Sequence, residues 1–186
     1  MGYSSSWRGF TCSHWRARRA GLLLTVLIAV VAPGAARATA QALPAIWLGD
    51  LAGARAPLDS LLGGRPMLIL FWSTPCQSCL DKLRTVEAFA AARAEQGLGL
   101  LMVNIDAPRN KNLIAPFLHR FGFTAPNFID PDRDAFRKLG GREAPYLVFV
   151  SAEREILHRS GALDRRDLEK IAVQLGVTST EGEEHD

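Results

Sequence analysis

The sequence predicts an α/β domain in which a mixed central sheet is flanked by helices on both faces. Two largely apolar runs, residues 67–72 and 98–105, have the length and composition of strands that are buried on both faces. A helical pattern lies between them, which predicts parallel strands joined by a helical crossover. Residues 146–150 and 155–159 predict two further strands that pair in antiparallel fashion across a short turn.

Amphipathic patterns predict three main helices. From Leu80, apolar residues recur at steps of three and four, and the pattern ends at Gly97. Residues 112–121 are a predicted helix in which Pro116 introduces a kink or shortens the start. Residues 164–175 are a third predicted helix, and the Asp at its first position is the expected N-cap.

The other predicted elements are short. Residues 46–48 and 56–58 have the composition of short strands, and residues 128–129 are a short extended piece. Residues 132–139 predict a short helix that ends at a Gly-Gly pair.

The positive charge of the chain is confined to its N-terminal end. The 186 residues carry a net charge of +3, which alone would suggest a nucleic-acid or membrane partner. Residues 1–40 contain five of the 22 Lys and Arg and none of the 19 Asp and Glu. Residues 41–186 therefore hold 17 basic and 19 acidic residues, a net charge of −2, so no nucleic-acid partner is expected.

Residues 1–40 are predicted to be a secretory signal peptide. Residues 21–32 are uncharged and apolar, and twelve residues are too few for a membrane span, which needs about 20. We expect cleavage after Ala40 and a periplasmic or otherwise exported protein. An uncleaved signal anchor is the alternative, and it would be the only membrane contact. Two adjacent arginines before the apolar run are also compatible with twin-arginine export.

The mature chain is expected to be one domain with a tail. Its length is enough to bury a sizeable core. We place the folded domain at residues 41–176. Residues 177–186 are polar and acidic, and we expect them to form a flexible tail.

Two cysteines are the candidate catalytic residues. Cys12 lies in the predicted signal, so the mature chain retains Cys76 and Cys79 at the junction of a predicted strand and helix. The free N–H groups and partial positive charge of a first helical turn lower the pKa of a thiol. We expect Cys76, in that first turn, to attack a partner disulfide and Cys79 to resolve the mixed disulfide.

Other interpretations of the pair remain open. A structural zinc site needs about four ligands, and the histidines of the mature chain are scattered, so no metal is expected. A purely structural disulfide would contribute little, because it would close a very short loop. A peroxide-reducing cysteine would not need a partner at this spacing. The two sulfurs could also serve as soft copper ligands.

Several stretches resemble exported thioredoxin-like proteins of the TlpA/ResA/DsbE type. The sequence FWSTPCQSC at residues 71–79 resembles their active-site segment. In chain order, similarity extends to their N-terminal hairpin (48–66), the strand end after the active-site helix (103–106), a helical insertion (112–130) and the cis-proline strand (144–150). The resemblance covers residues 46–175.

The resemblance implies a thioredoxin fold with an N-terminal hairpin extension and a helical insertion. It implies that Pro145 forms a cis peptide bond with Ala144 and faces Cys76. The backbone of Ala144 would then bind an extended partner segment. Trp72 would shield the sulfur pair, and Pro75 would complete the substrate-binding residues.

The sequence departs from the family pattern at several positions. Pro75 stands where these proteins usually have an aromatic residue, and Gln77-Ser78 replaces the Gly-Pro of ordinary thioredoxin. Leu70 stands where thioredoxin has a buried acid that assists proton transfer. Glu143 is a candidate substitute for that acid, although a solvated surface position is the simpler expectation.

The expected function is that of an exported thiol-disulfide oxidoreductase. It would pass electrons from a membrane thiol donor to disulfides of partner proteins, and the resemblance implies cytochrome c maturation as the substrate class. The Cys76–Cys79 disulfide is the expected redox group, so no cofactor is expected. The alternatives are an oxidase or isomerase of the same fold, and a copper-handling assembly protein that uses the same cysteines.

Overall fold

A computed structural model describes residues 41–161 and 163–174 of the chain. The predicted signal peptide, with its cleavage site, and the predicted acidic tail lie outside these residues. The predicted cap at the end of the last helix also lies outside them.

The described residues form a mixed α/β fold, as predicted. The strands are β1 (Gln41–Ala42), β2 (Trp47–Gly49), β3 (Arg55–Pro57), β4 (Met67–Trp72), β5 (Gly99–Asn104), β6 (Asn127–Ile129), β7 (Tyr146–Val150) and β8 (Glu155–Ser160). The helices are α1 (Leu58–Leu62), α2 (Cys79–Ala91), α3 (Lys111–Phe121), α4 (Asp134–Lys138) and α5 (Arg165–Gln174).

Strand β4 lies at the centre of the sheet because all six of its residues are apolar and buried. It pairs in parallel with β5, from Met67 opposite Gly99 to Trp72 opposite Asn104. On its other side it pairs with β7 in antiparallel fashion. An apolar run without alternation is what a strand covered on both faces requires. The predicted crossover from β4 to β5 is therefore confirmed.

The sheet is mixed and has the strand order β1-β8-β7-β4-β5-β6-β2-β3. Strands β7 and β8 pair in antiparallel fashion, as predicted. Strands β2 and β3 form the predicted N-terminal hairpin, and β2 joins the sheet by pairing with β6. The short extended piece predicted around Phe128 is β6, which pairs in parallel with β5.

Alternate side chains of β4 enter two separate hydrophobic clusters, one on each face of the sheet. Met67, Ile69 and Phe71 pack with residues from α1 and α4. Leu68, Leu70 and Trp72 pack with residues from α2, α3 and α5, and Cys79 belongs to this second cluster. The two-faced burial confirms the predicted arrangement of helices on both sides of the sheet.

Helix α2 ends earlier than the sequence pattern indicates. Its last residue is Ala91, and Ala94–Gln96 form a separate 3₁₀ turn. Gly97 ends that turn with a φ of 89°, a left-handed conformation that glycine adopts without steric cost. Gly97 therefore ends the 3₁₀ turn that leads to β5, and it does not end helix α2.

Helices α3 and α5 agree with their predicted positions, whereas α1 was not predicted from the sequence. Helix α3 continues through Pro116. Proline has no N–H to donate to the carbonyl of Asn112, an exposed residue in the first turn of the helix. The N-cap role of Asp164 is confirmed, because its Oδ1 accepts a hydrogen bond from the Asp167 amide at 2.8 Å. Helix α4 is shorter than the predicted 132–139.

Adding a methyl group at Gly141 is expected to destabilise the fold. A Cβ atom there would overlap the ring of Phe136, which packs 5.3 Å from Phe71 and 5.8 Å from Tyr146 between ring centroids. We expect Gly141→Ala to lower the free energy of unfolding by about 1–3 kcal/mol in urea titrations.

Gly161→Ala is the matched control. The nearest atom to a Cβ at Gly161 is the Pro145 carbonyl oxygen at 4.0 Å, so the free energy of unfolding should change by less than about 0.5 kcal/mol. Equal unfolding midpoints for the two variants would show that the Phe136 ring accommodates the methyl group.

Candidate active site

Two consecutive turns connect the end of β4 to the start of α2 and carry the first cysteine. The Cys76 amide donates a hydrogen bond to the Ser73 carbonyl at 3.2 Å, and the Cys79 amide donates to the Cys76 carbonyl at 3.1 Å. Helix α2 begins only at Cys79. The predicted position of Cys76 in the first helical turn is therefore wrong.

The late helix start follows from these two turns. The amides of Cys76 and Cys79 bond to carbonyls three residues earlier, so the chain forms turns and not an α-helix before Cys79. Cys76 lies three residues before the first helical residue, so the helix dipole acts on its sulfur from a greater distance than the sequence suggests.

Cys76 and Cys79 are joined by a disulfide with a Cα–Cα distance of 5.3 Å. The two residues differ in accessibility, because Cys79 is fully buried whereas Cys76 is half-buried. A partner protein can therefore approach Cys76 and not Cys79. This difference agrees with the attacking and resolving roles expected from the sequence, and the roles themselves stay a prediction.

The Cys76 sulfur has two polar neighbours. The Ser78 hydroxyl oxygen lies 3.5 Å from it and can donate a hydrogen bond to the sulfur. The Ala144 carbonyl oxygen lies 3.6 Å away. The disulfide form carries no S–H, so the second distance is a contact, and it becomes a possible hydrogen bond only when Cys76 is a thiol.

The segment before β7 lies directly beside Cys76. The peptide bond between Ala144 and Pro145 is cis, as the resemblance implies, and both residues are half-buried. Proline contributes no N–H here, and the Ala144 N–H has no hydrogen-bond partner within the part of the chain that the structure describes. An unpaired backbone donor beside the reactive sulfur is available to an extended partner segment.

Tyr146 supports this segment from the following position. Its hydroxyl donates a hydrogen bond to the Leu139 carbonyl at 3.2 Å. Burial raises the pKa of Tyr146, and the positive charge of Arg159 partly offsets this effect. The side chain therefore stays neutral at physiological pH and keeps its hydrogen bond.

Asp106 fixes the loop before Cys76, and the sequence analysis did not assign it this role. Its side chain is buried, with 6% of its surface exposed. Its Oδ2 accepts hydrogen bonds from the Thr74 amide at 3.0 Å, the Thr74 hydroxyl at 2.6 Å and the Asn104 side-chain amide at 3.2 Å. A usable signal was present, because an acid that follows a buried strand parallel to β4 must lie at the same sheet edge.

Trp72 and Pro75 occupy different environments. Trp72 is fully buried, its Nε1 donates to the Asn127 side-chain oxygen at 2.9 Å, and its ring lies 5.0 Å from that of Phe117. It offers no surface to a partner in this state, and its predicted role as a shield of the sulfur pair stays a prediction. Pro75 is exposed next to Cys76, where a partner can contact it.

An apolar residue occupies the position near Cys79 at which thioredoxin has a buried acid. Leu70 is fully buried in the cluster that contains Cys79. Glu143 is exposed, which agrees with the expectation that it is solvated. Proton transfer at Cys79 must therefore use other groups than the buried acid of thioredoxin.

The described residues contain neither a cluster of metal ligands nor a membrane-spanning helix. Over residues 41–161 and 163–174, no three His, Cys, Asp or Glu side chains lie together as a metal site would require. In those same residues, no helix has the length and apolar character needed to span a bilayer.

Comparisons with known proteins agree with this geometry. A sequence profile described as the AhpC/TSA family matches residues 39–159. The chain is similar to the thiol-disulfide oxidoreductase ResA of Halalkalibacterium halodurans, with 28% identity over 132 residues. That alignment covers 70% of this chain and 73% of the relative.

Solved structures share the fold at low sequence identity. One is a secreted Mycobacterium tuberculosis disulfide oxidoreductase homologous to E. coli DsbE, with a TM-score of 0.58 and 19% identity, covering 70% of this chain and 96% of that one. Another is an uncharacterized thioredoxin-like protein from Porphyromonas gingivalis, with a TM-score of 0.61 and 25% identity, covering 78% and 98%. The predicted thioredoxin fold is confirmed.

Removing the Asp106 carboxylate is expected to loosen the loop and destabilise the fold. Asp106→Ala leaves the two Thr74 donors and the Asn104 side-chain amide without their acceptor, so we expect a loss of about 2–3 kcal/mol in urea titrations. Hydrogen exchange of the Thr74 amide should accelerate.

Thr74→Val separates the contributions within this network. It removes only the hydroxyl donor and keeps the backbone N–H, so we expect a smaller loss of about 1 kcal/mol. An Asp106→Ala protein with unchanged stability and unchanged exchange at Thr74 would show that the carboxylate does not hold the loop.

Proposed function

The chain belongs to the AhpC/TSA family and is a thioredoxin-like thiol-disulfide oxidoreductase of the TlpA/ResA/DsbE type, and we propose that it reduces disulfides of partner proteins outside the cytoplasm. The observation that supports this proposal best is the unequal exposure of the two linked cysteines. Cys79 is fully buried, whereas Cys76 is accessible beside the Ala144 N–H, which has no partner among the described residues. This difference supports an attacking role for Cys76 and a resolving role for Cys79.

The proposed reaction transfers two electrons in two exchange steps. In the reduced protein, the Cys76 thiolate attacks one sulfur of the partner disulfide, forms a mixed disulfide and releases the other partner sulfur as a thiolate. Cys79 then loses its proton, which the released partner thiolate can take up, and the Cys79 thiolate attacks the Cys76 sulfur. The Cys76–Cys79 disulfide forms, and the second partner thiolate leaves and takes up a proton. The partner is reduced and this protein is oxidised.

Docking of the partner would use the edge beside Cys76. An extended partner segment can accept a hydrogen bond from the Ala144 N–H and contact Pro145 and the exposed Pro75. The Ser78 hydroxyl, 3.5 Å from the Cys76 sulfur, can donate a hydrogen bond to the Cys76 thiolate before the attack. No cofactor takes part, because the two cysteines carry both electrons.

The proposal includes a source and a destination for the electrons. A membrane thiol donor would return the oxidised protein to the dithiol form. Apocytochrome c, which must be reduced before haem is attached, is the substrate class that the family resemblance suggests. The same steps in reverse would oxidise a partner, so the reduction potential of the pair decides between a reductase and an oxidase.

The sequence of residues 1–40 supports the proposed compartment. The chain begins with a charged and then apolar segment typical of a secretory signal, and we propose cleavage after Ala40. A solved relative of the same fold is described as secreted. Disulfide chemistry of this kind takes place outside the thiol-buffered cytoplasm.

A mixed disulfide should accumulate when only the resolving cysteine is removed. We expect Cys79→Ser to form a stable covalent adduct with a disulfide-bonded partner, since the buried position can no longer release it. Cys76→Ser is the matched control and should form no adduct and reduce disulfides only at the uncatalysed rate. Non-reducing electrophoresis with mass spectrometry measures both.

Adducts on Cys79 in the Cys76→Ser protein, at the yield of the first variant, would contradict the assigned roles. A reduced wild-type protein that binds Cu(I) tightly and fails to reduce a protein disulfide would favour the copper-handling alternative.

The direction of the reaction is measured by the reduction potential of the Cys76–Cys79 pair. For a reductase we expect a value of about −200 to −270 mV in equilibration with glutathione, near that of thioredoxin. A value near about −120 mV, as in a strong oxidant, would replace the reductase with the oxidase alternative.

A further inference from the structure

A groove between α3 and the loop before Cys76 lies outside the reaction described above. Its volume is about 420 Å³. Thr74 and Pro75 form one wall, and residues of α3 form the other wall and the floor, among them Leu113, Phe117 and Phe121. We call this surface the α3 groove. Cys76 follows Pro75 directly in the chain, so the groove begins next to the reactive sulfur.

The α3 groove exposes apolar surface that nothing in the described part of the chain covers. Leu113 is 56% exposed, and Pro75 and Pro116 are also exposed. The floor is rigid, because Phe117 packs at 5.0 Å against the buried Trp72 and at 4.8 Å against Phe121. An open apolar surface on a firm aromatic floor is suited to an apolar side chain of a partner.

The charge around the α3 groove is positive. Arg120 lines it, and the guanidinium carbons of Arg120 and Arg84 lie 5.5 and 5.9 Å from the centre of the Phe121 ring. None of the described residues that line the groove is acidic. Between Asp106 and Asp130 the sequence contains three Lys or Arg and no Asp or Glu.

This positive region stands out from the rest of the protein. Residues 41–186 carry a net charge of −2, so the domain as a whole repels acidic peptides weakly. Asp106 contacts Thr74 in the groove wall, but the side chain of Asp106 is buried and its Oδ2 accepts hydrogen bonds from Thr74 and Asn104. A preference for acidic partners would therefore arise locally and not from the net charge.

We propose that the α3 groove binds the substrate segment next to the attacked cysteine and selects an apolar side chain flanked by carboxylates. The proposal rests on the proposed thiol-disulfide exchange at Cys76. An extended chain advances about 3.3 Å per residue, so residues one to three positions from the substrate cysteine can enter the groove while that cysteine is bonded to Cys76. Leu113 and Arg120 are the specificity-determining residues.

Three matched peptides test the proposal. Each carries one cysteine as a mixed disulfide with thionitrobenzoate, within Glu-Leu-Cys-Leu-Glu, Lys-Leu-Cys-Leu-Lys or Glu-Ser-Cys-Ser-Glu. Attack of the reduced Cys76 on the peptide sulfur forms the Cys76–peptide disulfide and releases thionitrobenzoate, whose absorbance gives the rate. Rates are divided by that of the same protein with the small neutral disulfide 4,4′-dithiodipyridine, which corrects for the intrinsic reactivity of the thiol.

We expect the full-length wild type to react about tenfold faster with the Glu-Leu-Cys-Leu-Glu peptide than with the Lys-Leu-Cys-Leu-Lys peptide, because charge complementarity accelerates association. The rate should also be about fivefold higher than with the Glu-Ser-Cys-Ser-Glu peptide, because the leucines lose contact with water in the groove. Raising the salt concentration to about 0.5 M should reduce the first preference and not the second.

Four exposed substitutions locate the effect. Arg120→Glu should abolish or reverse the charge preference, and Leu113→Asn should reduce the preference for leucine. The matched controls on α5, Arg166→Glu and Val173→Asn, should keep both preferences, because these exposed residues do not line the groove. Unfolding midpoints confirm that all four variants are folded.

Equal normalised rates for the three peptides, or equal effects of the α3 and α5 substitutions, would overturn the proposal that the α3 groove selects the substrate. Neither result would contradict the proposed thiol chemistry. A reduced wild type that fails to react with 4,4′-dithiodipyridine would overturn both proposals, since the groove is assigned only as part of a reacting site.

Discussion

The pairing of strand β4 determines which segments meet at the site, because β4 pairs with a parallel strand on one side and an antiparallel strand on the other. The carboxyl end of β4 therefore meets the carboxyl end of β5 and the amino end of β7. The loop of Cys76, the carboxylate of Asp106 and the peptide before β7 come together at this edge. The apolar run that forms the core thus also assembles the site.

Local signals in the sequence were sufficient for most of the fold. Continuous apolar runs predicted the buried strands β4 and β5, and a short polar side chain predicted the cap at Asp164. Each of these patterns is contained in a few neighbouring residues. The first turn of α2 was misplaced because two turns, closed at Cys76 and Cys79, precede the helix. The Asp106 network and the α3 groove were missed because they join distant segments, as in the bond between Thr74 and Asp106, which are 32 positions apart.

The account of function depends on burial more than on the cysteine spacing. A Cys-x-x-Cys pair alone is compatible with exchange, metal binding or a structural bridge. The structure distinguishes the two sulfurs, because Cys79 lies in the core and Cys76 lies beside the α3 groove and beside the Ala144 N–H, which has no partner in the described part of the chain. The partner would then be recognised by its backbone on one side of Cys76 and by its side chains on the other.

The most direct test of the account is the rate at which each cysteine of the reduced, folded protein reacts with iodoacetamide, resolved by peptide mass spectrometry. We predict that Cys76 is alkylated at least about tenfold faster than Cys79, and that the difference disappears in urea. Equal rates for the two cysteines in the folded protein, or faster alkylation of Cys79, would contradict the central claim that Cys76 is the attacking thiol.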